Sequence, residues 1–455
     1  MNSTTIETAA TKAAQRNAVD SLKSPAGRLG ILLLLWALLQ IPLSMISGLV
    51  EERRTRRDEA VADVTSKWGG AQLLLGPVLR LPYIEHGKTA DGKPTRSERA
   101  LYLLPETLVV DAKLKTEERR RGIFGIPVYR ADLQARGFFQ QPDLDSWIGA
   151  GNEPLWQRAE LQIGLSDVRA IHADGQLTWA GQAHGLRPSF GTGSPAAGVH
   201  AEIGREAKTL FDADGRADFA LSLRFNGSEA LRLAPVGRDN RATISADWGS
   251  PSFQGSWLPT SSTIGADRFS GNWSISYLGR GYPQQWTAEG ELDVDTLSAQ
   301  LFGVALLSPI DAYRMSERVT KYAVLAAFFT FVTIWLTEVL ANRRVHIVQY
   351  VLIGAALTLF GLLQLAIGEH FGFEPGFVCA TIAVTAMVTF YSKAVLERWR
   401  SAFTVGALLG GLYGYLYLLL SAEDYALLGG SVALFVGLAL VMLLTRKIDW
   451  HRIGG

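Results

Sequence analysis

A chain of 455 residues with a single cysteine, Cys379, can form no disulfide within itself, so its folded parts must be held by apolar packing alone. Charge of either sign is not in excess. The formal net charge is +1, and between Glu51 and Lys321 there are 32 Lys and Arg against 34 Asp and Glu. That balance excludes nucleic acid as a partner and gives no polybasic face for anionic lipid. Local catalytic signatures are missing too: there is no Gly-x-Ser-x-Gly elbow, no His-Glu-x-x-His and no cysteine pair. Gly87-Lys88-Thr89 ends like a phosphate-binding loop, but Pro82 stands where its first glycine is needed. His172, His184 and His200 are spaced too widely for a compact metal motif. Asp132, Asp143, Asp145 and Glu153 lie among Pro142, Gly149, Gly151 and Pro154 and read as a solvated loop. No catalytic, metal or cofactor residue is assigned on these patterns.

Apolar runs of membrane-spanning length, in contrast, are abundant. Five fill the last third of the chain, at 322–340, 347–367, 376–391, 402–420 and 426–444. A bilayer core takes about 20 apolar residues in helical form, because in hydrocarbon each backbone polar group must be satisfied within its own helix. A sixth run, 29–50, lies near the start, after a polar tail over 1–28 that is expected to be disordered. It passes Gln40 and Pro42 without a small-x-small cleavage site, so it is expected to be an uncleaved anchor.

Lys and Arg are missing from alternate breaks between the runs. Arg343-Arg344, then Lys393, Arg398 and Arg400, then Arg446-Lys447 mark three basic breaks, whereas Glu369, Glu374, Glu423 and Asp424 mark two that lack cations. Retention of cations on the cytoplasmic side predicts six transmembrane helices (1+5), with both termini and the 445–455 tail cytoplasmic. Residues 51–321 then lie outside the cytoplasm, as one large domain or two smaller ones.

That region reads as β-rich. Phe219 to Phe225 alternates, and the Asn226-Gly227 pair predicts a hairpin turn into Ala230 to Leu233. Leu161 to Leu165 and Ala242 to Ala246 alternate as well, and Asp91-Gly92, Asp174-Gly175 and Asp214-Gly215 read as turns. An antiparallel sheet architecture is expected. Two features suggest surfaces. Trp248, Phe253 and Trp257, interleaved with Gly, Ser and Pro, form a candidate interaction surface, or else plug the end of the β core. Gly406, Gly410 and Gly414 share one helix face and form a candidate packing face for another helix of this chain, a second copy or another membrane protein. The charge run Glu117 to Arg121 is expected to be a solvated strand edge. No ionisable residue interrupts the four later runs, and Glu338 lies near the end of the first of the five; this argues against ion-coupled transport.

Several short motifs in order along the chain carry a resemblance. They are Leu75-Gly76-Pro77, Leu103-Leu104-Pro105-Glu106, Glu117-Glu118-Arg119 with Gly122-Ile123, and Pro251-Ser252-Phe253 before Leu258-Pro259. Further on come Arg318-Val319-Thr320-Lys321-Tyr322, Gln349-Tyr350, Glu369-His370 before Gly372-Phe373, and Thr445-Arg446 before Ile448-Asp449-Trp450. On these the chain resembles the inner membrane protein CreD family of Gram-negative bacteria. The resemblance implies one amino-terminal span, a large periplasmic domain and a carboxy-terminal helical block. It also implies membership in a two-component regulon and a role in envelope integrity and tolerance of envelope-directed agents, including colicin and β-lactam phenotypes. It carries over no catalytic residue. The expectation is therefore a non-enzymatic membrane protein, embedded in the lipid bilayer, whose periplasmic domain binds an envelope component or a membrane-protein partner. The alternatives are an enzyme acting on lipid or peptidoglycan with groups drawn from remote strands, and an accessory or sensor subunit. Oligomeric state is not predicted.

Overall fold

The computed structural model describes residues 25–88, 91, 93–149, 151–189, 197–204, 210–287, 299–306, 312–341, 345–421 and 426–446. Residues 1–24 of the expected amino-terminal tail, the cations Arg343, Arg344 and Lys447, the acidic Glu423 and Asp424, and Gly92 of one predicted turn lie outside the described residues, while 25–28, expected in that tail, already belong to the first helix. Two compact units result, one from the chain up to Arg57 together with everything after Pro309, the other from Asp58–Pro309.

The first unit is helical. Among the described residues, five helices are long and apolar enough to cross a membrane, one near the amino terminus and four near the carboxy terminus. The first is Pro25–Leu38 running on through Gln40–Trp68, with an interruption at Leu39, where Pro42 removes the donor that would meet the Leu38 carbonyl. The others are Ala312–Ala341, Ile347–Phe371, Phe373–Leu396 and Trp399–Ser421. The sixth apolar run is also helical, Ala426–Thr445, its apolar stretch Leu428–Leu443 falling short of the spanning length. Polarity runs inside out. Ile382, Phe390, Leu418 and Phe435 face outward, whereas Thr330, Gln364 and Ser392 are buried. Hydrocarbon rather than water outside the bundle is what makes that arrangement favourable. Phe360 stacks on Tyr413 with centroids 4.1 Å apart and meets Phe377 edge-on, tying three helices together. Trp36 donates to the Val324 carbonyl at 3.0 Å, so the amino-terminal helix is built into the bundle.

The second unit contains two sheets that share one hydrophobic core. The eight-stranded sheet runs Ser261–Ile264, Phe269–Ser276, Asp239–Ala246, Thr107–Arg121, Phe124–Gln140, Arg216–Ser228, Gln176–Trp179 and Gln182–His184. Its central strands alternate over most of their length, with Val110, Ala112, Leu133, Leu221, Leu223 and Ile244 inward and mostly polar residues outward. The path of the other sheet runs Pro251–Gly255, Phe302–Leu306, Ala230–Leu233, Gln72–Lys88, Glu160–Leu165, Gly198–Glu202 and Arg187–Pro188. Its Glu160–Leu165 strand is buried on both faces, so the alternation read there does not translate into one wet side.

Two expectations are corrected. The sheets are mixed, not purely antiparallel: Gln72–Lys88 runs parallel to Ala230–Leu233, and Thr107–Arg121 runs parallel to Asp239–Ala246. Both parallel joins come from long crossovers that carry the chain away and back, connections that local turn signals do not report. Second, Asn226-Gly227 is not a hairpin turn. Both residues continue the Arg216–Ser228 strand, and the chain crosses to the other sheet at Glu229, with φ +59°. Glycine is needed at 227 for space, since a Cβ there would collide with the Tyr129 ring, whose hydroxyl donates to the Ala230 carbonyl at 2.8 Å. The turns predicted at Asp174-Gly175 and Asp214-Gly215 are present.

Candidate functional site

The segment marked out by its rings forms the edge of the sheet that contains Gln72–Lys88, where Pro251–Gly255 pairs with Phe302–Leu306. Phe253 meets Phe269 and Trp273 edge-on at centroid distances of 6.0 and 5.7 Å. Trp273 Nε1 donates to the Trp257 carbonyl at 3.1 Å. Trp248, Phe253 and Trp257 are all half-buried against the core. Much of each ring is thus spent on closing the sheet edge. The exposed apolar surface lies beside them: Leu258 is 72% exposed and Leu278 80%. The chain neighbour of Leu278, Gly279, lies beside Trp257: a Cβ on it would be 3.8 Å from Trp257 Nε1. Sequence reasoning missed Leu278, which sits in a short Tyr277–Gly279 helical turn with no aromatic run to mark it.

A second constellation joins three helices of the membrane unit. Glu369 lies 3.5 Å from Arg53 Nε and accepts a hydrogen bond from the Tyr313 hydroxyl at 3.1 Å. Its side chain is largely buried, so the pair is worth more than an exposed one and removal of either charge is costly. The sequence reading took Arg53 for a flanking charge and Glu369 for a loop marker. Only their convergence from positions more than 300 residues apart shows the pairing.

The predicted packing face divides. A Cβ on Gly406 would collide with Thr389, and one on Gly410 would lie 3.8 Å from Thr385 Cγ2, both on Phe373–Leu396; nothing lies within 4 Å of Gly414. The charge run is a solvated strand edge, with Glu118 to Arg121 exposed, and it also makes surface contacts: Arg119 lies 4.2 Å over the Trp68 ring, Arg121 reaches Asp63 at 3.1 Å, and Glu117 holds Arg119 at 2.7 Å. Lys67 and Arg121 hold the Asp63 carboxyl below its ordinary pKa. Asp132 is corrected from loop to mid-strand. The three histidines stay apart, His172 against Asn226, His184 against the Glu202 carbonyl and His200 against Ser189.

A family model described as Inner membrane protein CreD matches residues 24–451. The chain belongs to the CreD family. Inner membrane protein CreD of Escherichia coli (strain K12) is 31% identical to it over 422 residues, covering 91% of each chain. It is accordingly an inner-membrane protein with transmembrane helices. The CreD motifs acquire physical roles here. Glu369 is the carboxylate of the three-helix node, Pro251-Ser252-Phe253 is the sheet edge, and Glu117 holds Arg119 over Trp68.

Proposed function

We propose that this CreD-family protein is non-enzymatic and supports the integrity of the cell envelope under stress, its β domain lying in the periplasm and binding an envelope component or protein partner. Both termini are cytoplasmic in this reading, which the three basic breaks and the two cation-free breaks support. The observation that carries binding is the exposed rim beside the half-buried Trp257, formed by Leu258 and Leu278, the two most exposed large apolar side chains among the described residues of the domain. The rings behind it are held rigid by core packing, which lowers the ordering cost of association.

The test is photo-crosslinking in living cells from residue 278, followed by identification of the adduct. A defined envelope molecule or membrane protein captured at wild-type abundance, and lost in Leu258→Ser with Leu278→Ser, is the expected result. An unchanged envelope phenotype in that double variant, with the protein folded and abundant, removes this surface as the binding site.

A further inference from the structure

The outer face of the eight-stranded sheet carries a feature that the apolar rim does not explain. Register places Thr263, Ser270, Ser245, Lys113, Asp132 and Arg224 in one continuous row across six strands. At about 4.8 Å per strand, that row is about 24 Å long, the reach of several linked sugar units and not of a single small ion. It forms the floor of an open trough of about 830 Å³.

Two lysines of the trough take no part in the ion pairs of the described residues. Asp247 is engaged by the backbone N–H and hydroxyl of Thr116, and Asp267 by Arg268. Arg224 is paired with Asp174. Among the described residues no ion pair involves Lys113 or Lys115, and both are exposed on the same side of their strand. Lys115 moreover lies directly opposite Arg130. Arg130 is itself paired with Glu117 at 3.6 Å, so Lys113 and Lys115 are the cations open to a bound anion.

We infer that this trough binds an anionic glycan, an inference that rests on the proposed periplasmic placement of the domain. Lys113 and Lys115 take the acidic groups, while Asp132 and the hydroxyls of Ser245, Ser270 and Thr263 exchange hydrogen bonds with sugar hydroxyls. The row holds no apolar side chain for an acyl tail. Its backbone amides are committed to the sheet, so an extended acidic peptide cannot add to it as a strand.

Carboxylate-bearing wall glycan and phosphate-bearing glycolipid saccharide share this chemistry. The test measures binding of the full chain in nanodiscs to soluble wall glycan strands freed of peptide, to a deacylated phosphorylated oligosaccharide, and to dextran and polyglutamate as controls. One charged glycan is expected to bind at least about tenfold tighter than both controls, and Lys113→Gln with Lys115→Gln to lose about tenfold or more without a change in thermal unfolding. Which glycan binds names the source. Equal binding of polyglutamate, no preference over dextran, or undiminished affinity of the double variant overturns the trough. Photo-crosslinking in cells from residue 245 beside residue 278 separates the two readings. An envelope adduct at 278 with none at 245 refutes the trough alone, and silence at both positions in an abundant, folded protein refutes both.

Discussion

Arg280 shows how much of the β domain hangs on single buried polar groups. Its Nη1 donates to the carbonyls of Pro235, Val236 and Gly237, the closest at 2.7 Å, and its guanidinium lies 4.8 Å over the Tyr282 ring. Burial lowers the Arg280 pKa, and burial likewise pushes the Tyr282 hydroxyl up to about 12. Arg280→Met leaves the Val236 carbonyl without its donor, while Pro235 keeps the Tyr282 hydroxyl and Gly237 keeps Asn240, so a loss of about 2 kcal/mol is expected, read as a drop in the thermal midpoint of tryptophan fluorescence in detergent. Asp167 gives a prediction in pH. Its carboxylate accepts from Arg169 Nε at 3.0 Å and from the Arg169 backbone, which holds its pKa below the ordinary 3.8. A depressed native pKa means the stabilisation is complete above 3.8 and is lost as pH falls through the lower native value. Asp167→Asn is therefore expected to cost up to about 1 kcal/mol at neutral pH and to converge on the wild type as pH falls below 3.8, which flattens the acid limb, and equal acid limbs would refute it.

Helix pairs in the membrane unit are set by small residues where backbones approach and by polar pairs where charges are buried. Gly406 meets Thr389 with no room for a Cβ, whereas Gly414 is open. Gly406→Leu is expected to cost about 2 kcal/mol and lower the detergent thermal midpoint, and Gly414→Leu to leave it unchanged. Equal effects would show that the two glycines serve one face, as the sequence spacing suggested. Among strands, Gly227→Ala forces a methyl into the Tyr129 ring and is expected to cost about 2 kcal/mol despite the permissive φ of that position. Were 227 a turn residue, the cost would instead come from backbone strain, and a Gly227→Asn variant would be tolerated; rejection of Asn supports the steric account.

For the molecule as a whole, the orientation proposed from basic breaks makes a direct prediction. In a Cys379→Ser background, a cysteine introduced at the exposed Gln141 is expected to react with a membrane-impermeant maleimide in intact spheroplasts. Reaction only after lysis would place the β domain in the cytoplasm and end both the envelope-binding reading and the glycan trough.

The membrane helices were legible in the sequence because a hydrocarbon environment imposes a local rule: each span must be long and apolar by itself, whatever its neighbours do. Alternation likewise marked Asp239–Ala246 and Arg216–Ser228 as strands, since the pleat alternates regardless of partner. Pairing was another matter. Whether Asn226-Gly227 turns or runs straight depends on a Tyr129 ring brought from almost a hundred residues away, and whether Ala230–Leu233 runs parallel or antiparallel depends on where the chain left from. The node at Glu369, the Leu278 rim and the hydroxyl-to-guanidinium row across six strands were likewise decided by the tertiary structure alone. Each is a coincidence in space of residues far apart in the chain, and register, which fixes such coincidences, is set by packing between elements and not by the elements themselves.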